Sequence, residues 1–200
     1  MKSAVITPAD APTSAKFDVR SSSFFQHYSQ LPSPEEVRSQ ARARYLAGTH
    51  WGWKTRRVNA GYNSHPAPAV FEFEKILLFV KWGSDVRISE AQALYAIRNK
   101  CGESVPVPEI YGWRQDGDEM FLYMEAVRGK TLEEAWPTLI EDDRLHICSE
   151  LRTIFYNLHY IKQDPSDRFI GKLSYIEVAP LYFNTNVIKL PRQYYERELL

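Results

Sequence analysis

The sequence has few cysteines, no long apolar run and no excess charge of either sign. Its two cysteines, Cys101 and Cys148, cannot build a disulfide scaffold and have no metal-ligand spacing, so a reducing compartment is expected. The longest apolar run covers residues 76–80, far too short to span a bilayer. With 25 basic and 25 acidic residues, the chain lacks the excess positive charge that is typical of a strongly basic nucleic-acid binder.

The N-terminal residues also lack the apolar segment of a signal peptide. We therefore predict a cytoplasmic protein that has neither a membrane nor a nucleic acid as its partner. An alternative in which the arginines from Arg38 to Arg57 bind nucleic acid has no recognisable motif to support it.

The chain has 200 residues, of which 44% are hydrophobic, enough for one domain or for one domain and part of another. Residues 1–32 are rich in serine, proline and threonine, which predicts a flexible arm. Ser33 and Glu36 then form a capping-box pattern, with Pro34 suited to the first turn, so a helix is expected from there to about Ala47.

Beyond this helix, strand patterns come before helix patterns, which predicts an α+β fold rather than a doubly wound parallel sheet. An Asp-Gly pair at Asp116 and Gly117 predicts a hairpin between two of the strands. The long helix near the end carries a core-like stripe of apolar residues at steps of four and three. The predicted strands are 70–73, 76–82, 110–113 and 120–124, and the predicted helices begin near 89, 131 and 142.

Lys81 and Glu90 are the two charged residues that need an explanation. Lys81 shares a strand face with Leu77 and Phe79, and Glu90 begins the helical stripe that continues through Leu94, Ile97 and Cys101. An ion pair would reduce the desolvation cost of both charges. The alternatives are a lysine that reaches water from the end of an edge strand and a glutamate favoured at a helix start.

Several segments, in order, resemble the aminoglycoside phosphotransferase family, related to choline kinases, and its fungal branch in particular. They are LLFVKWG at 77–83 with Glu90-Ala91, VPVPEIY at 105–111, MEAVRGKTL at 124–132, Trp136-Pro137 and FIG at 169–171. The resemblance covers about residues 56–173. It implies a protein-kinase-like N-lobe over 33–124 with its preceding helix, a hinge over 125–132, and a partial helical C-lobe over 133–200.

The resemblance also implies ATP as the ligand. Lys81 would contact its phosphates and Glu90 would orient Lys81. The backbone of 125–127, including Glu125 and Val127, would hydrogen-bond the adenine edge, and Met124 would form a wall of the base pocket. The simpler interpretations are a solvated Glu125 at a strand end and a core Met124.

The family's catalytic loop, roughly His-Gly-Asp-Leu with a later asparagine, has no counterpart after the long helix, and no later aspartate is present to hold Mg²⁺. No catalytic residue is therefore assigned, Mg²⁺ is expected only if such a loop is supplied, and this chain alone is predicted not to turn over ATP. Either the chain is a truncated member of the family, or it is a non-catalytic nucleotide-binding or interaction module. The acceptor substrate cannot be identified. An incomplete helical lobe also predicts an exposed apolar helix face and self-association.

Overall fold

A five-stranded antiparallel sheet forms the centre of the computed structural model, which describes residues 5–7, 10–47, 66 and 68–163. The sheet has the strand order β2-β5-β6-β4-β3. Two short strands outside it, β1 and β7, pair in parallel. The strands are β1 (Val5–Ile6), β2 (Lys16–Asp18), β3 (Ala69–Glu72), β4 (Leu77–Gly83), β5 (Ile110–Asp116), β6 (Glu119–Glu125) and β7 (Lys162–Gln163), and the helices are α1 (Pro34–Leu46), α2 (Ile88–Cys101), α3 (Leu132–Ala135) and α4 (Glu141–His159).

Both faces of the sheet are covered, and each has its own apolar cluster. Leu78 and Val80 of β4 belong to the cluster that also contains Val37 and Ala41 of α1. On the other face, Phe79 of β4 packs against a second cluster, which contains Ala91, Trp113, Leu122 and Met124 together with other residues. β4 thus has apolar residues on both faces and is buried between α1 and α2. The predicted mixture of strands and helices is confirmed at this level.

The start of α1 has the cap that the sequence predicted. The Ser33 hydroxyl accepts the Glu36 amide N–H at 3.2 Å, and the Glu36 carboxylate accepts the Ser33 amide N–H at 2.7 Å. Two backbone donors that no helical carbonyl can reach are satisfied in this way. The predicted hairpin is present as well, since β5 and β6 pair in antiparallel register from Asp116 and Glu119 onwards.

The prediction of a flexible arm over residues 1–32 is corrected for the part of it that the structure describes. β2 pairs with β5, and the Phe24 side chain is completely buried in the α1-side cluster. Gly112 of β5 permits the close approach of β2, because a Cβ atom at position 112 would lie 2.5 Å from the Phe17 carbonyl oxygen. Serine, proline and threonine between the apolar residues indicated disorder, but a few aromatic side chains are sufficient to anchor an irregular segment.

The long helix α4 forms where the periodicity predicted, but none of its residues is buried. The residues of its apolar stripe from Ile147 to Ile161 are only half-buried. Within the described ranges, no helix is both long and apolar enough to cross a membrane. Residues 48–65 and the tail from 164 onwards, which includes the FIG segment at 169–171, lie outside the described residues. The predicted domain boundaries at 33, 125 and 133 stay predictions.

Candidate functional site

Lys81 and Glu90 form an ion pair between the sheet and the helix that follows it. Lys81 lies on β4, opposite Leu122 of β6. Its ammonium Nζ is bonded to Oε2 of Glu90, the third residue of α2. The interpretation in which the two charges pair is therefore the one that the structure bears out, and the short connection from β4 to α2 brings them together.

The second oxygen of Glu90 is held by the backbone at the helix start. Its Oε1 accepts the amide N–H of Arg87 at 3.4 Å, and the Glu90 amide donates to the Arg87 carbonyl oxygen at 3.0 Å. One carboxylate thus bonds the helix N-terminus and the lysine, which restricts where the lysine ammonium can lie. Arg87 was not singled out from the sequence, because arginine is an uncommon residue at a helix N-cap.

The ion pair is only half-buried, which corrects the expectation that both charges occupy desolvated positions. The Lys81 side chain is 48% exposed and that of Glu90 is 38% exposed. Ion pairs with this exposure contribute roughly 0–1 kcal/mol to stability. The Lys81–Glu90 pair therefore does not serve to offset the cost of burying two charges in the core. Among the residues that the structure describes, only Glu90 accepts from the Lys81 ammonium, which leaves two of its three N–H donors for other acceptors. Both charges are therefore accessible on the α2 side of the sheet.

The apolar face of α2 is rotated from the one that the sequence indicated. The helix buries Ala91, Gln92 and Ala96 rather than the stripe that begins at Glu90. At about 100° per residue, the three buried residues lie about 100°, 200° and 240° around the helix from Glu90, so Glu90 lies outside the packed face. Its half-exposure follows from that position. The buried glutamine was missed because a polar residue in a helix is usually assigned to the solvent face.

The candidate hinge begins at the end of β6, directly beside β4. The Glu125 amide donates to the Glu109 carbonyl oxygen at 2.8 Å, and the Ala126 amide donates to the Leu77 carbonyl oxygen at 3.1 Å. The Glu125 carboxylate accepts the Glu109 amide at 3.2 Å. The chain leaving β6 is thus attached to both neighbouring strands before it reaches Val127, whose side chain is 64% exposed.

Two backbone groups of this segment have no hydrogen-bond partner among the described residues: the Glu125 carbonyl and the Val127 amide. In an extended chain, backbone groups of alternate residues turn to the same edge, so an acceptor and a donor two residues apart can bind one ligand together. Gly129 follows with φ 133°, a conformation that residues with a Cβ atom rarely adopt.

Met124 is 8% exposed and belongs to the α2-side cluster. This is the core role named above as the simpler interpretation, on the sheet face that also carries Lys81. Along β4 and β6, Lys81 is opposite Leu122 and Leu78 is opposite Glu125. Three residues therefore separate the level of the lysine from that of the hinge, which is about 10 Å.

No group of three or more histidine, cysteine, aspartate or glutamate side chains could hold a metal ion in the part of the chain that the structure describes. A shallow depression of about 360 Å³ lies at the C-terminal end of α2 and includes none of the five candidate residues. It is lined by Arg98, Gly102, Glu103, Pro106 and Val107.

No family model, no curated protein and no solved structure matches the chain. The function is therefore inferred from the geometry of the site and from the sequence segments that resemble the phosphotransferase family.

Proposed function

We propose that the sheet and α2 bind ATP in the manner of the N-terminal lobe of an aminoglycoside phosphotransferase-like kinase fold. The observation that carries the proposal is the accessible ion pair between Lys81 of β4 and Glu90 of α2. In kinase-like sites a strand lysine held by a helix glutamate contacts the nucleotide phosphates.

The chemistry of the pair suits a phosphate ligand. An ammonium group with two N–H donors that no described residue accepts can bond phosphate oxygens while it keeps its bond to Glu90. Glu90 is itself held by the Arg87 amide, so it acts as a positioning residue for Lys81. A half-exposed lysine is also reached by a ligand with less reorganisation than a buried one would require.

The hinge suits the base of the nucleotide. Adenine presents an amino donor next to a ring-nitrogen acceptor, and the Glu125 carbonyl with the Val127 amide presents the complementary acceptor and donor. The separation of about 10 Å along the strands is comparable with the span from the base to the second phosphate of an adenine nucleotide. Met124 and Phe79, on the Lys81 face, would border the base.

The resemblance associates this lobe with transfer of the γ-phosphoryl group of ATP to a hydroxyl of a small molecule. That reaction needs a base for the hydroxyl and Mg²⁺ to neutralise the developing charge. The 200 residues contain no His-Gly-Asp-Leu sequence to supply them. We therefore propose nucleotide binding without turnover for these 200 residues, with Mg²⁺ entering as the ion that accompanies ATP.

The test is a calorimetric titration of the full chain with ATP and Mg²⁺. Lys81→Ala is expected to weaken binding by about 10- to 100-fold, because it removes a charge-assisted contact. Lys75→Ala is the matched control, since Lys75 is an exposed lysine in the preceding turn between β3 and β4. Equal affinities of the wild type and Lys81→Ala would contradict the proposal, and no binding by either would favour the interaction module.

A second measurement addresses turnover. Radiolabelled ATP is incubated with the chain and with small alcohols or aminoglycosides as acceptors. An amount of phosphorylated acceptor above that produced by Lys81→Ala would contradict the predicted lack of turnover, but it would not contradict the proposed ATP-binding site.

A further inference from the structure

We infer that residues 10–18, which we call the N-terminal strap, position α2 and thereby hold Glu90 against Lys81, with Gln92 as the positioning residue. The consequence of this positioning for nucleotide binding rests on the proposed function, whereas the positioning of α2 itself is independent of that function.

The strap is fixed on one side to the sheet. β2, which is its last part, pairs with β5 from Lys16 opposite Arg114 to Asp18 opposite Gly112. Before β2, the Trp113 indole Nε1–H donates to the Ser14 carbonyl oxygen at 2.8 Å, and the Gln115 amide donates to the Ala15 carbonyl oxygen at 3.0 Å.

On its other side the strap is bonded to α2 at two points. The Gln92 amide Nε2–H donates to the Pro12 carbonyl oxygen at 2.9 Å, and Lys100 forms an ion pair with Asp10 at 2.7 Å. Gln92 and Lys100 are eight residues apart, or about 12 Å along the helix axis. Bonds at both ends of this span restrain the helix against sliding and against tilting.

Gln92 is completely buried, yet its Oε1 has no hydrogen-bond partner in the described part of the chain. A leucine of similar size would avoid the cost of that unpaired oxygen. The contribution that a glutamine makes here and a leucine cannot is the bond from its amide nitrogen to Pro12.

Apolar packing also holds α2 on the sheet. Besides Gln92, its buried residues are the small Ala91 and Ala96, and Ile88, Leu94 and Tyr95 pack half-buried against the same cluster. The Lys81–Glu90 pair is half-exposed and contributes little to stability. Phe17 of the strap also contacts Tyr95 of α2 edge-on, with 5.8 Å between ring centroids. The strap therefore adds two polar bonds, at Gln92 and Lys100, to the apolar packing of the helix that carries Glu90.

The first test is amide hydrogen exchange of the full chain without nucleotide. Gln92→Leu and Lys100→Gln, alone and together, are expected to raise exchange of the α2 amides about threefold to tenfold each, with β4 and β6 unchanged. Glu72→Gln is the matched control, because it removes an exposed ion-pair partner of Arg44 remote from the strap. Unchanged α2 exchange in the double variant would overturn the inference.

The second test is a double-mutant cycle on affinity for ATP. Gln92→Leu should weaken binding about threefold to tenfold in the wild type but add no loss in a Glu90→Gln background, because its effect passes through Glu90. Additive losses would overturn this role of Gln92. If the wild type does not bind ATP, the proposed function fails, whereas the exchange experiment still decides whether the strap positions α2.

Discussion

At the scale of single residues, the role of each ion pair depends on which charged groups pair and on how exposed they are to solvent. Lys81 and Glu90 pair in partial contact with solvent, so their geometry suits ligand binding better than stability. Asp10 and Lys100 are less exposed, at 22% and 35% of their side chains, and connect the strap to α2. The two pairs thus have different consequences although the chemistry of each contact is the same.

Acid should selectively weaken the strap. Burial acts to raise the pKa of Asp10, but the hydrogen bonds and charge of Lys100 and the hydrogen bonds from Thr7 outweigh it and leave that pKa below its ordinary value. A carboxylate with a lowered folded-state pKa adds stability above its unfolded pKa, near 3.9, and loses it as the pH falls through the folded value.

We therefore expect Asp10→Asn to be less stable than the wild type at neutral pH and equally stable at low pH. Urea unfolding of both proteins between pH 7 and pH 2.5 measures the difference, in which other acidic groups such as Glu36 cancel. A difference that stays constant to the lowest pH would show that the Asp10 carboxylate contributes nothing through its charge.

At the scale of elements, α1 and α3 begin with the same cap but depend on it differently. Ser33 with Glu36, and Thr131 with Glu134, both form reciprocal capping boxes. α1 buries Val37 and Ala41 against the sheet, whereas α3 has no buried residue. A cap stabilises the whole fold only where its helix is part of the core.

Ser33→Ala is accordingly expected to lower the free energy of unfolding by about 1 kcal/mol. Thr131→Ala should lower it much less, because α3 can fray without opening the core. Chemical denaturation of the two variants compares the same deletion in two settings. Equal losses would mean that α3 unfolds together with the sheet.

The local elements were predictable for this reason. Caps, the Asp-Gly turn and apolar periodicity act over a few residues, and α1, α2, α4 and the β5–β6 hairpin all form where these patterns indicated. β2 was not predictable, since its three residues carry no strand pattern and its pairing partner lies almost one hundred positions away. The same holds for Gln92, whose partner is the distant Pro12.

At the scale of the whole molecule, the sheet is covered on both faces, but α4 is not covered to the same degree. Leu145 and Tyr156 are 58% and 56% exposed, and they lie eleven residues apart, which puts them on one side of the helix. An exposed apolar helix face favours contact between copies of the chain. Self-association was predicted for the stripe from Ile147 to Ile161, but because that stripe is half-buried we now expect it at the face of Leu145 and Tyr156.

We expect the sedimentation coefficient of the wild type to rise with concentration and that of Leu145→Glu with Tyr156→Lys to rise less. Leu46→Glu on α1 is the control, because Leu46 is an even more accessible apolar residue, 74% exposed, on another helix. A wild type that sediments as a monomer at all concentrations would contradict the prediction.

The helices, the hairpin and the pairing of Lys81 with Glu90 can be derived from the sequence, because short-range sterics, hydrogen bonding and desolvation specify them. Three further features follow only from the folded structure: the packed face of α2, the half-exposure of the Lys81–Glu90 pair, and the incorporation of the N-terminal segment into the sheet. These depend on contacts between residues far apart in the chain. Such contacts form when Phe24 and other apolar side chains gain more from burial than the chain loses in conformational entropy.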